Sequence, residues 1–179
     1  MAGLWQFPDA APSGLTLKSW MAAVPQLSGP LATSMATAIF SSVISLVLVV
    51  LVLHRARETG RGMKAGPLLL YAPLIVPQAS FLFGLQLMVL GSSVSISLPL
   101  LVFSHLIFVL PYVFLSLSDP WRGFDTRFES IAYGLGRSRW DVFWKVRLAM
   151  LLRPALTALA VGFAVSIGLY LPTVLIGAG

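Results

Sequence analysis

The side chains able to do bond-making chemistry are few: two histidines, six Asp and Glu residues and no cysteine in 179 residues. Without thiols, disulfide frameworks, thiolate zinc clusters and cysteine nucleophiles are excluded. His105 sits in the middle of an apolar run, and an ionisable group inside a membrane span is by default a functional hypothesis. That run holds no carboxylate, and the other histidine, His54, ends a different run. Neither a metal site nor a proton relay can be assembled from them, so His105 is expected to be neutral and hydrogen-bonded within a bundle. Ser104 adjoins His105, but neighbours on a helix point about 100° apart, which argues against an intramembrane Ser–His protease. Gln78, Gln86 and His105 are the polar groups that could line a path for a solute; Ser80 and Ser104 bond across helices just as readily. The stretch Gly60-Arg61-Gly62-Met63-Lys64-Ala65 has glycines and basic residues. It follows an apolar run rather than a strand, so it reads as a basic turn and not as a dinucleotide fingerprint. No Gly-x-x-x-x-Gly-Lys-Ser/Thr loop is present, so the chain is not expected to hydrolyse ATP, to be an enzyme or to carry a cofactor or metal.

The elements that must position these groups follow from composition. Hydrophobic residues make up 58% and charged residues 10%, with a mean hydropathy of +0.90. Soluble domains carry roughly 25% charge, so this chain cannot cover a water-facing surface. A helix needs about 20 apolar residues to cross a bilayer core, and residues 32–53, 67–90, 96–117 and 154–176 qualify. Long unbroken runs favour helices over barrel strands. The fold class is therefore an all-α integral membrane protein, with about four transmembrane helices plus cytoplasmic helices. Pro73, Pro77 and Pro111 are expected to kink their helices. Ala158, Gly162 and Ser166 recur every four residues, as do Ser34, Ala38 and Ser42, and such ridges read as helix-packing faces.

Charge then orients the spans. The net charge of +6 suggests a nucleic-acid partner only until the charges are placed. Asp9 and Lys18 cancel before the first span. Arg55, Arg57, Arg61 and Lys64 with Glu58 follow it, and seven Arg and Lys with four acids lie between residues 117 and 153. Basic loops mark the cytoplasmic side. Residues 1–31 are then expected to be extracytoplasmic, the loop 91–95 is uncharged, and a nucleic-acid partner is excluded.

Within 118–153, Ser118-Asp119-Pro120 is a turn signal. Thr126-Arg127-Phe128-Glu129 and Ser138-Arg139-Trp140-Asp141 both fit a capping box, with Glu129 expected as the N3 partner of Thr126. The pattern predicts a short helix from about Thr126, a break near Gly134 or Gly136, and a second helix from Ser138. Phe128, Ile131 and Leu135 recur at helical spacing on the first; Trp140, Phe143, Trp144 and Leu148 do so on the second. Such helices either lie in the lipid interface or present a face to a partner.

The text Ser130-Ile131-Ala132, three residues, Gly136, nine residues, Val146, one residue, Leu148-Ala149 resembles the cytoplasmic signature of inner-membrane permease subunits of ATP-binding-cassette (ABC) importers, the MetI-like family. That signature reads Glu-Ala-Ala, Gly, Ile and Leu-Pro at the same spacing. Ala132, Gly136 and Leu148 match in identity and Val146 conservatively; Ser130 replaces the acid, with Glu129 one place earlier, and Ala149 replaces the proline. The resemblance implies that Glu129, Ser130, Ile131, Ala132, Gly136, Val146 and Leu148 dock a separate ATPase subunit. Its closure would drive a small solute across by alternating access. It implies a second permease half, an extracytoplasmic solute-binding protein and the bilayer as partners, and a multi-pass location in a bacterial inner membrane. The phrasing of the loop is most similar to permeases for thiamine, ferric iron, sulfate or polyamine-type solutes. Residues 32–179 would form the permease domain, incomplete at both ends, with a coupling segment at 118–153. The alternative is a truncated or decayed remnant that acts structurally or in regulation without ATPase coupling.

Overall fold

The computed structural model describes residues 18–59, 66–91 and 97–177. The expected basic turn at 60–65, most of the loop 91–95 and the greater part of the N-terminal segment 1–31 lie outside the described residues. The chain divides into two compact units, Met1–Ala36 and Thr37–Gly179. In the first, helix begins at Lys18, well before the expected start of the apolar run, and includes Pro25 and Pro30. Hydroxyls donate to backbone carbonyls there: Ser28 Oγ to Pro25 (2.8 Å) and Thr33 Oγ1 to Gly29 (3.1 Å).

All described elements are helical: α1 Lys18–Glu58, α2 Gly66–Ile75, α3 Gln78–Leu90, α4 Leu98–Arg122, α5 Arg127–Gly134, α6 Arg139–Asp141 continued by a π-helical segment Val142–Leu148, α7 Leu152–Gly168 and α8 Tyr170–Gly177. Two described helices are long and apolar enough to cross a membrane, Leu27–Glu58 and Leu98–Arg122. A third candidate is the pair Arg139–Leu148 and Leu152–Gly168, bent by 70°.

The other two expected spans are helical but interrupted. Residues 67–90 split into α2 and α3 at Val76 and Pro77. Pro77 cannot donate to the Pro73 carbonyl, Pro73 cannot donate to that of Leu69, and a residue before proline avoids helical geometry. Residues 154–176 break at Leu169, whose ψ of 84° leaves the helical region. Pro172 lacks the amide that the Gly168 carbonyl would need, so the chain stops there and restarts as α8. Pro111, by contrast, is accommodated within an unbroken α4.

The core of the second unit lies between α1, α4 and α7. Val49 and Leu53 of α1, Val109, Val113, Phe114, Leu117 and Trp121 of α4, and Ala155 and Ala158 of α7 form one buried cluster with Phe124 and Leu151. Small residues set how close these helices come. Ala38, Ser42, Ala158, Gly162 and Ser166 are buried. A Cβ at Gly162 would stand 2.7 Å from Val113 Cγ2 and 3.3 Å from Ser42 Cβ. The ridge Ala158, Gly162 and Ser166 is a packing face, as are Ala38 and Ser42 of the other, while Ser34 is half-buried. A second cluster joins Leu82 of α3, Phe108 of α4 and Ile176 of α8.

Candidate functional site

The segment after α4 is built from three local decisions. The first is where α5 starts. Thr126 adopts helical backbone angles (φ −70°, ψ −14°) and its side chain caps nothing. The Arg127 amide instead donates to Asp125 Oδ1 at 2.9 Å. The expected box between Thr126 and Glu129 therefore does not form. A capping residue needs an extended backbone to bring its hydroxyl over the first turn, and Thr126 is already wound into it.

The second decision is the turn between α5 and α6. Gly136 has φ 76°. Its amide donates to the Tyr133 carbonyl (2.9 Å), and the Arg137 amide reaches back to Ala132 (3.1 Å). This pair of bonds is the Schellman termination, which wants a left-handed residue at that place. A Cβ at Gly136 would meet nothing within 4 Å, so the glycine serves the backbone and not a close approach within the chain.

The third is the start and end of the second helix. Ser138 is extended (ψ 159°), and its hydroxyl accepts from the Asp141 amide at 3.2 Å while donating to Asp141 Oδ2 at 2.9 Å. The hydroxyl half of this capping box forms as its spacing predicts, whereas the Asp141 carboxylate closes on the serine hydroxyl. Lys145 Nζ donates to Asp141 Oδ1. That bond, then the one from Ser138, holds the Asp141 carboxyl below its ordinary 3.8. Residues 142–148 then widen into a π-helix, a form found in short pieces and often at functional sites. The chain turns by 70° into α7, where Pro154 leaves the Met150 carbonyl without its helical donor.

The predicted docking residues divide between two surfaces. Ser130 and Ile131 are exposed, Ile131 to 62%, and Leu135 beyond them to 76%. Trp140 (73% exposed) and Trp144 stand edge-on to Phe143, at 6.4 and 5.3 Å between ring centroids. Ala132 is buried, Val146 packs against the bundle core, and Leu148 is half-buried. Glu129 faces inward, its side chain 13% exposed. Its Oε2 accepts from Arg57 Nη2 at 2.8 Å, and its Oε1 lies 3.0 Å from Arg147 Nε. Arg147 is 3% exposed. Its guanidinium carbon lies 5.2 Å from the centroid of Trp121 and 5.1 Å from that of Phe124, within cation–π range.

Of the predicted path residues, Gln78 and Gln86 are half-buried on α3. His105 is buried in a chain of hydrogen bonds that crosses four helices. Ser41 Oγ donates to Ser166 Oγ (3.0 Å), which lies 2.8 Å from His105 Nδ1. Thr173 Oγ1 lies 3.3 Å from His105 Nε2 and donates its own proton to the Leu169 carbonyl. With the Thr173 proton on the Leu169 carbonyl and the Ser41 proton on Ser166 rather than on the Ala38 carbonyl 3.3 Å away, Nε2 donates to Thr173 and Nδ1 accepts from Ser166. One neutral tautomer satisfies every partner. Among the described residues no group of three or more metal-ligating side chains occurs.

Sequence reasoning missed Arg57 and Arg147 as partners of Glu129, counting them only as inside charges. Ser41 and Thr173 carried no sequence signal as partners around His105.

No protein-family model matches the chain. It is 36% identical over 118 residues to the inner membrane ABC transporter permease protein YnjC of Escherichia coli K12, covering 66% of this chain and 23% of that protein. It is 26% identical to the spermidine/putrescine transport system permease protein PotC of the same strain, covering 80% of this chain and 53% of PotC. The molybdenum transport system permease protein ModB of Mycobacterium tuberculosis is 29% identical, with 80% and 60% covered. The chain thus spans less than two thirds of the length of each of these relatives.

Proposed function

We propose that the chain, similar to the permease proteins YnjC, PotC and ModB, is a member of the MetI-like permease family of ABC transporters and a transmembrane subunit of an importer in a bacterial inner membrane. In this reading residues 32–179 form the permease domain and 118–153 its cytoplasmic coupling segment. A separate ATPase subunit docks there, and its closure moves the spans between inward- and outward-facing states. The observation that carries the reading is the exposed apolar face of Ile131, Leu135, Trp140 and Trp144, held on two short helices by a Schellman turn and a serine cap. Water-exposed apolar side chains in such a cluster mark an interaction surface. A short helix with a fixed terminus transfers displacement instead of absorbing it.

The roles divide accordingly. Ser130 and Ile131 face the ATPase; Ala132, Gly136, Val146 and Leu148 shape and back the docking helices; Glu129 acts behind them. Gln78, Gln86 and His105 are assigned to the solute path, His105 through its bonds to Ser166 and Thr173. A second permease half and an extracytoplasmic solute-binding protein complete the assembly. A polyamine or an oxyanion is the solute class to try first, because PotC and ModB are named for spermidine/putrescine and molybdenum transport.

One observation favours a second reading, a structural or regulatory subunit without ATPase coupling. Ser130 stands where the family has an acid, and the neighbouring Glu129 turns away from the exposed face toward two arginines. A single experiment separates the two. The chain is co-expressed with a candidate ABC ATPase subunit, and the complex is recovered in detergent. Coupling predicts that the ATPase co-purifies and that Ile131→Glu reduces recovery at least tenfold. No complex with the wild-type chain leaves the second reading; equal recovery with Ile131→Glu refutes this docking face.

A further inference from the structure

Glu129 sits two residues before Ile131, so on α5 it points about 200° away from the exposed docking face. Each of its carboxylate oxygens meets a different arginine from a different element. Arg57 belongs to the end of α1 and lies 2.8 Å from Oε2; Arg147 belongs to the π-helical segment and lies 3.0 Å from Oε1. The Arg147 guanidinium is also covered by Trp121, in the last turn of α4, and by Phe124 just after it. Its Nε and Nη2 are both buried without a hydrogen-bond partner, so the 3.0 Å contact is an ion pair, and Glu129 is the acid that compensates the charge. A charge so far from water is strongly destabilising once its partner is lost. The geometry holds Glu129 firmly where it is.

From this juxtaposition we propose that Glu129, Arg57 and Arg147 form an ionic latch that couples displacement of α5 to the inner ends of α1 and α4. The three are positioning residues that never touch the solute. The latch rests on the coupling reading above for its purpose, although its geometry can be tested without any ATPase. A push on Ile131 and Leu135 reaches Glu129 through one turn of helix. From there it passes to α1 through Arg57 and to α4 through Arg147 and its two aromatic covers. The extra positive charge of the trio makes the single carboxylate the shared element, so removing it frees both arms together.

The absence of cysteine allows specific labelling. Thr59 and Tyr133 are exposed at the end of α1 and on α5. The full chain carrying Thr59→Cys and Tyr133→Cys is spin-labelled in lipid nanodiscs, and the distance distribution is read by pulsed electron resonance. A single narrow distribution is expected, widened about twofold by Glu129→Gln and by Arg57→Gln and returned to its width by Arg57→Lys. Unchanged widths in Glu129→Gln and Arg57→Gln overturn the latch. Should Glu129→Gln fail to fold, the half-exposed Arg57 variant decides alone. In the complex, Glu129→Gln is expected to retain the ATPase but to raise the ATP consumed per solute imported at least fivefold. An unchanged ratio overturns the transmission role. If the wild-type chain retains no ATPase, the coupling reading fails while the label distances still judge the latch.

Discussion

Glu129 and Asp141 each follow a hydroxyl residue by three positions, and their carboxylates do different work. Asp141 meets a serine whose extended backbone aims its oxygen at the first turn, and the two side chains close on each other within 3 Å. Glu129 follows a threonine already wound into the helix, and its longer side chain spans instead to two arginines. The capping pattern alone does not separate the cases, because the backbone angle of the first residue is set by what precedes it. Asp125 supplies the capping oxygen one residue earlier at α5. The Asp141 site has a definite pH signature. Its carboxyl is held below 3.8 chiefly by the bond from Lys145 and then by Ser138. A depressed acid contributes stability above its ordinary value and loses it as pH falls through its folded value. The Asp141 amide resonance should therefore titrate with a midpoint below 3.8, and Lys145→Met and Ser138→Ala should each raise that midpoint. Ser138→Ala should also cost the helix about 1 kcal/mol, the usual worth of a cap. Midpoints that do not move would show that the carboxylate is held by something else.

At the scale of elements, the turn between α5 and α6 was legible and the segment after it was not. Gly134 and Gly136 announce a helix stop, and Ser138 announces a start. The π-helix carries no comparable signal. Its wider turn brings residues five apart onto one face, which is why Val142 and Arg147 are both buried. Read with α-helical spacing, Trp140, Phe143 and Trp144 form a stripe on which Arg147, seven residues after Trp140, also falls, yet its charge type led it to be counted with the solvent-facing basic residues. Packing of its guanidinium on Trp121 and Phe124 could not be inferred from local sequence. The turn itself makes a prediction that separates backbone from contact. Gly136 is left-handed with open space around it. Gly136→Ala should then destabilise the coupling segment by about 1 kcal/mol, the cost of a left-handed L-residue. Gly136→Asn should cost less, since asparagine visits that region. Amide exchange at Gly136 and Arg137 reports both. Equal protection loss in the two variants would mean that a side chain of either kind meets something at this position.

Over the whole molecule, four apolar runs and their charge pattern foretold an all-helical membrane protein, whereas the breaks in two of the runs depend on prolines whose consequences differ with context. Pro77 and Pro172 end helices; Pro111 is carried inside α4, buried among its neighbours. What joins the runs into a bundle is the close approach of α1, α4 and α7 at Gly162. With little hydrophobic driving force between helices in lipid, association depends on packing and on bonds such as Ser41–Ser166, which average about 0.6 kcal/mol. A hydrogen bond of that size counts for less than a clash at a contact this tight. The Cβ of Gly162→Ala would lie 2.7 Å from a Val113 methyl and 3.2 Å from a Val109 methyl. Both belong to β-branched side chains with one favoured rotamer on a helix, so the helices must separate to admit it. Overpacking of this kind costs about 1–3 kcal/mol. Thermal unfolding in micelles should show Gly162→Ala well below wild type and Gly162→Leu lower still. Gly84→Ala, in the interior of α3 with nothing within 4 Å, should be neutral or gain up to about 1 kcal/mol from helix propensity. If Gly162→Ala instead melted with Gly84→Ala, the three helices would not be in contact there, and the serine and histidine chain beside it would lose its framework as well.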